Sequence, residues 1–151
     1  MANIIEEKSF AFAIRIVNLY KHLNEAKKEV VLSKQLLRSG TSIGANVAEA
    51  EQAQSTPDFV SKMSIALKEA SETKYWIRLL ASTSYLTEAE TVSILNEGHF
   101  VRDNVYVINH AINSVSYKDP ANNNNDMLNG IKDPVTGSDV ATAFDVQALS
   151  S

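Results

Sequence analysis

The sequence predicts an all-α protein, with a four-helix body over residues 1–118 and a mostly irregular, acidic tail over residues 119–151. Three observations carry this. Apolar residues recur at three- and four-residue spacing through four segments of the body. Two capping signals, Ser55-Thr56-Pro57-Asp58 and Thr87-Glu88-Ala89-Glu90, divide those segments. The pattern stops at Asp119-Pro120, and a run of asparagines, Asn122 to Asn125, follows.

The first helix is expected from about Ile4 to Leu23. Phe10, Ile14, Val17 and Tyr20 form one helical set, and Phe12, Ile16, Leu19 and Leu23 form another. A single apolar stripe serves a monomeric bundle, so the second predicts a face that meets another subunit. Asn24 to Glu29 is polar and reads as a turn. The second helix is expected from about Val30 to Gln54, with Leu36, Ile43, Val47 and Ala50 on one face. Its middle, Arg38 to Ala50, is rich in small and hydroxyl side chains. A glycine inside a helix costs about 0.8–1.0 kcal/mol relative to alanine, and serine and threonine are also poor there. Such a helix needs tertiary support, and its small residues predict close approach to a neighbouring helix.

Ser55 or Thr56 can cap the third helix, Pro57 suits its first turn and Asp58 complements its dipole. That helix is expected to reach about Ser84, with Met63, Leu67, Ala70, Trp76, Ile77 and Leu80 on its apolar surface. The fourth follows the Thr87–Glu90 capping box and runs to about Tyr117, its period set by Val101, Val105, Ile108, Ile112 and Val115. Beyond it, Val140, Ala143, Phe144, Val146 and Leu149 form a short apolar segment that reads either as a docking peptide or as part of an irregular tail.

Composition narrows the function classes. The chain has 151 residues, 44% of them hydrophobic, which suits one domain with a true core. It has no cysteine, which excludes disulfides, thiol nucleophiles and thiolate zinc sites and agrees with a reducing cytoplasm. Met1 to Phe10 includes Glu6, Glu7 and Lys8 rather than the basic start and apolar run of a secretory signal, and no stretch is long enough for a membrane span. The net charge of -4 is carried by the tail: in residues 1–118 basic and acidic side chains balance, whereas 119–151 sets Lys132 against five aspartates. A protein that coats nucleic acid usually carries a basic excess.

Catalytic constellations are sparse. His99 and Asp103 are spaced to share one helical face, but two ligands fall short of a zinc site. Glu69 and Glu72 lack the Glu-x-x-His partner of di-metal bundles, and neither a phosphate loop nor a nucleophile elbow occurs. No cofactor is expected. Arg38, Ser42, Asn46 and Glu49 line one flank of the second helix. They read as a structural polar network that fixes helix register, with Glu49 or Glu72 pairing a basic group, or else as a partner surface. Lys21, Lys27, Lys28 and Lys34 cluster around the first turn. They read as a solvated end or as a phosphate-contacting rim multiplied by ring symmetry, with only Tyr20 nearby for base stacking.

The run Leu36-Leu37-Arg38-Ser39-Gly40-Thr41-Ser42-Ile43-Gly44-Ala45-Asn46-Val47-Ala48-Glu49-Ala50 resembles the signature of the bacterial ribosomal RNA intervening-sequence protein family. That signature is an apolar-Arg-Arg/Ser start and then Ser-Ile-x-Ala-Asn-Ile-Ala-Glu-Gly. Asp58-Phe59 and Ile65-Ala66-Leu67-Lys68-Glu69-Ala70-Ser71-Glu72-Thr73 are similar to the family's third helix. Accessory proteins of diversity-generating retroelements share the fold group. The resemblance covers roughly residues 5–117. Ala50 stands where the family has Gly, the first helix lacks the frequent Trp, and the tail has no counterpart. The balanced body also departs from the basic retroelement accessory proteins.

The resemblance implies an antiparallel, up-down-up-down four-helix bundle that often assembles as a ring of five, with no established enzyme activity. The expected function is therefore a non-enzymatic, cytoplasmic homo-oligomer, an accessory or scaffold protein for a protein or nucleoprotein partner. The alternative is a nucleic-acid-binding accessory factor for a reverse transcriptase or for RNA maturation. A hydrolase or metalloenzyme ranks last.

Overall fold

The computed structural model describes residues 4–118 and, within them, the surroundings of side chains 4–99 and 101–106. The expectations for the 119–151 tail, and for Ile108, Ile112 and Val115, lie outside the described residues. Four helices make up the described chain: α1 (Ile4–Glu25), α2 (Leu32–Glu51), α3 (Thr56–Ser82) and α4 (Glu88–Lys118). Each packs along the next in sequence, and α1 meets α4 along a thinner seam. Cross-helix pairs run in opposite directions along consecutive helices: Glu49 meets Lys62 while Ser39 meets Thr73. The result is the antiparallel up-down-up-down bundle.

The ends of the helices show why they start and stop where they do. Ser55 Oγ accepts from the Asp58 amide at 3.2 Å, and Pro57 sits in the first turn, where its missing N–H removes nothing. Thr87 and Glu90 form the expected reciprocal box: the Glu90 amide donates to Thr87 Oγ1 at 3.2 Å and the Thr87 amide to Glu90 at 3.4 Å. At the end of α3 the Tyr85 amide returns to the Leu80 carbonyl and Ser84 to that of Ala81, with Ser84 in the left-handed region at φ 69°. This is a Schellman closure with serine where glycine is usual.

The second helix begins at Leu32 rather than Val30 because Glu29 caps it. The Glu29 carboxylate accepts from the amides of Val31, Leu32 and Ser33 at 3.1, 2.8 and 2.7 Å. Burial alone would raise the Glu29 pKa, but the Leu32 and Ser33 amides, aided by the Ser33 hydroxyl and the Val31 amide, hold it below the usual carboxylate value. The same helix ends at Glu51, earlier than expected, as the chain tightens through Gln52 and Ala53 into the Ser55 cap.

The core combines Ile5, Phe12, Ile16 and Leu23 of α1 with Leu36, Ile43 and Val47 of α2. Phe59, Met63, Ile77 and Leu80 of α3 and Ile94, Val101 and Val105 of α4 complete it. Of the two apolar sets on α1, the one containing Phe12, Ile16 and Leu23 is buried, whereas Phe10 and Ile14 of the other are exposed.

The small residues of α2 do what their spacing predicts. A Cβ on Gly40 would lie 2.8 Å from both Ile16 Cγ1 and Cγ2, and one on Gly44 would lie 3.2 Å from the Ser9 carbonyl oxygen. The α1 and α2 backbones therefore approach more closely than side chains would permit. On the other flank, Ser39 and Thr73 hydroxyls hydrogen-bond across α2 and α3 at 3.0 Å, both buried.

Candidate interaction surface

Along the outer side of the α1–α2 seam, the glycine contacts leave a groove of about 500 Å3. Its floor is Ala13, Thr41, Gly44, Ala45 and Ala48, and Phe10 forms one wall. The helical period explains the composition. Residues 41, 44, 45 and 48 of α2 fall on one stripe, and all are too small to fill the space beside α1. Phe10 is 66% exposed and Ile14 49%, so apolar surface continues up α1 from the groove. Glu6 and Glu7 close its lower end.

Glu6 also meets Glu51 at the end of α2. Burial, then a hydrogen bond with the Glu6 carboxyl and its charge, push Glu51 up to about 7, against a smaller opposing effect of the amino terminus. Glu51 thus changes charge near neutrality, next to the Glu6 end of the groove.

The polar line of α2 is arranged differently from a single network. Ser42 Oγ donates to the Arg38 carbonyl at 2.7 Å and Asn46 Nδ2 to the Ser42 carbonyl at 2.8 Å, so both bonds return to their own helix. Glu72 accepts from Trp76 Nε1 at 3.2 Å within α3. Glu49 reaches across to Lys62 at 2.8 Å, a pair that raises the Lys62 pKa, and the Arg38 charge acts across the same seam to oppose the upward shift of Glu69. The cross-helix hydroxyl contact belongs instead to Ser39 and Thr73, which the spacing of the polar line did not include. Ser39 is one helical turn from Ile43 on the core face, a signal that its hydroxyl must be satisfied inside.

Lys21, Lys27, Lys28 and Lys34 are all exposed at the α1–α2 end of the bundle, and Lys28 adopts φ 56° in the connection. His99 and Asp103 do not act together. Asp103 Oδ1 accepts from Arg102 Nε at 2.9 Å and Nη2 at 2.6 Å. Burial, then the Lys74 and Arg102 charges, lower the His99 pKa, and Asp103 only partly opposes them. Glu69 is raised by burial and by Glu72. No group of three metal-ligating side chains occurs among the described residues, and none of their helices is long and apolar enough to cross a membrane.

A family model described as 23S rRNA-intervening sequence protein matches residues 1–105. A crystal structure from Bacteroides thetaiotaomicron, a protein with unknown function from the S23 ribosomal protein family, is 54% identical. It covers 70% of this chain and 97% of its own, with a TM-score of 0.69. No curated protein matches.

Proposed function

We propose that this chain, which belongs to the 23S rRNA-intervening sequence protein family, works as a non-enzymatic homo-oligomer whose assembled surface docks a protein or nucleoprotein partner in the cytoplasm. The observation that carries this reading is the exposed Phe10 and Ile14 beside a groove floored by small residues. Burying such surface contributes about 25 cal/mol per Å2 before association costs. Exposed apolar side chains set beside a groove give a partner surface to bury.

A non-catalytic role is supported by what three of the four shifted acids do: Glu29 and Glu90 cap helices and Glu51 pairs Glu6. The resemblance drawn from Leu36 to Ala50 adds a ring, commonly of five subunits. Light scattering on the full chain at micromolar concentration tests the assembly. A mass several times 16.6 kDa is expected, and a strict monomer would refute it.

A second reading rests on Lys21, Lys27, Lys28 and Lys34, exposed together at one end of the bundle. Repeated around an assembly, they would present a basic rim to RNA or DNA despite a neutral body. Retention of RNA in a gel shift that weakens steeply with salt would support it, and absence of retention at low salt removes it.

A further inference from the structure

We infer that the α1–α2 groove of one subunit receives the outer stripe of α3 from the next, with Glu7 facing Lys68 across the contact. This rests on the homo-oligomeric reading above and names its two surfaces.

The stripe is Ile65, Lys68, Glu72 and Tyr75, spaced 3, 4 and 3, so the four share one face of α3. All are exposed, Ile65 at 37% and Tyr75 at 59%, on a helix that packs along both α2 and α4. The stripe thus offers two apolar side chains around a cation. The groove offers an apolar wall and floor closed by Glu6 and Glu7. The surfaces are complementary in both character and charge.

Their heights also agree. Gly44 lies against Ser9, which fixes the level of α2 on α1. The pairs Glu49–Lys62 and Ser39–Thr73 fix α3 on α2, and midway between them Gly44 stands opposite Leu67. Ser9 and Leu67 therefore share a level. At about 1.5 Å of rise per residue, Glu7 and Lys68 are offset by about 4–5 Å along the bundle on this register, and by about 8 Å on the register set by Gly40 against Ile16, within reach of two long side chains. Ile65 falls level with Glu7, just below Phe10, and Tyr75 falls level with Val17, above Ile14. Glu72 stands at the height of Ile14, clear of the acidic end, and its carboxylate already accepts from Trp76.

The groove and the stripe lie on different faces of the bundle, so their contact is heterologous. Matching heights mean that successive copies are related by rotation with little translation along the helices. Such a contact has little translation to drive a filament along the helices and forms a ring where its rotation divides a full turn.

Charge exchange tests the pairing on the full chain. Light scattering and analytical ultracentrifugation would compare the wild type with Glu7→Lys, Lys68→Glu and the double variant, with circular dichroism melts to show that each is folded. Each single reversal is expected to weaken association at least about tenfold, and the double variant to regain most of it. Singles that assemble like the wild type, or a double no better than either single, overturn the inference. Phe10→Ser separates the levels of the argument. Disassembly by that change with no response to charge reversal retains the groove as an interface and removes α3 as its occupant. A monomeric wild type removes the homo-oligomeric reading itself.

Discussion

Helix α1 has two seams that are built on opposite plans. Against α2 it meets glycines, and the backbones come so close that Gly40 has no room for a methyl group beside Ile16. Against α4 it projects bulk: Phe12 reaches across to Gly98, and Arg15 reaches Glu97 at 2.6 Å and Ser93. One seam gains its stability from proximity of main chains, the other from a large side chain filling a wider gap. The groove arises on the first seam because small residues that allow close packing inside leave space outside. The two seams should therefore respond differently to the same kinds of substitution.

The largest effect is expected at the wide seam. Phe12 is fully buried, and its replacement by alanine empties a space that the flanking helices are too well packed to close. Phe12→Ala should destabilise by about 3–5 kcal/mol in chemical denaturation. A loss below about 1 kcal/mol would show that α1 and α4 can move together, and the contrast between the seams would disappear.

At the close seam the sensitive position is a glycine. Gly40→Ala gains helix propensity of about 0.8–1.0 kcal/mol. It also forces a methyl group into Ile16, an overpacking worth about 1–3 kcal/mol. The net expectation is a destabilisation of up to about 2 kcal/mol, read from the denaturation midpoint. A stabilised Gly40→Ala would mean that Ile16 moves freely and that the approach of the backbones is not limiting.

These seams also mark what the sequence could and could not reveal. The helices, the Thr87–Glu90 box and the Ser55 cap were legible because period and capping chemistry are local. The small residues of α2 announced close packing; the second apolar set of α1 predicted a face for another subunit, and of that set Phe10 and Ile14 are exposed on the single chain. The start of α2 was not legible, because its cap is a glutamate whose carboxylate must fold back over three amides. Nor was the fate of Ser42 and Asn46. Spacing places them on one flank of the second helix, but cannot distinguish a bond across helices from one to the carbonyl four residues earlier. The groove needed two helices side by side: Ala45 and Ala48 are unremarkable until Phe10 stands next to them.

Titration should act on the two seams with opposite sign. Glu51, at the lower end of the α1–α2 seam, is raised from 4.5 to about 7. Its folded state retains a proton that the unfolded chain releases, so its contribution is complete below pH 4.5 and is lost as pH rises through about 7. His99 lines a void beside Phe12 and Gly98 and is lowered from 6.5. Its contribution is complete above pH 6.5 and is lost as pH falls through its folded value. Glu51→Gln should reduce the loss on the alkaline side, to which Glu69 also contributes, and His99→Gln the loss on the acid side, to which Glu29 and Glu90 add at lower pH, each checked by melting temperature from pH 4 to 9. A variant that leaves its own limb of the profile unchanged would show that another group governs it.

The smallest effect is the most discriminating, because it sets one chemical change against itself. Gly98→Ala makes the same substitution as Gly40→Ala, but at the wide seam. The added Cβ would lie 3.3 Å from Phe12 Cζ, the far edge of a ring, where Gly40 meets the branch of a packed isoleucine. The ring also borders a void of about 10 Å3 lined by Ile43, Thr73 and His99, so it has room to yield a few tenths of an ångström. The propensity gain of about 0.8–1.0 kcal/mol is then offset only in part. Gly98→Ala should be neutral or stabilising by up to about 0.5 kcal/mol in the same denaturation assay. Opposite signs at Gly40 and Gly98 would follow from backbone approach at one seam and side-chain filling at the other. Equal losses at both would mean that α1 is gripped alike on its two sides, and that the exposed groove owes nothing to how closely α2 approaches.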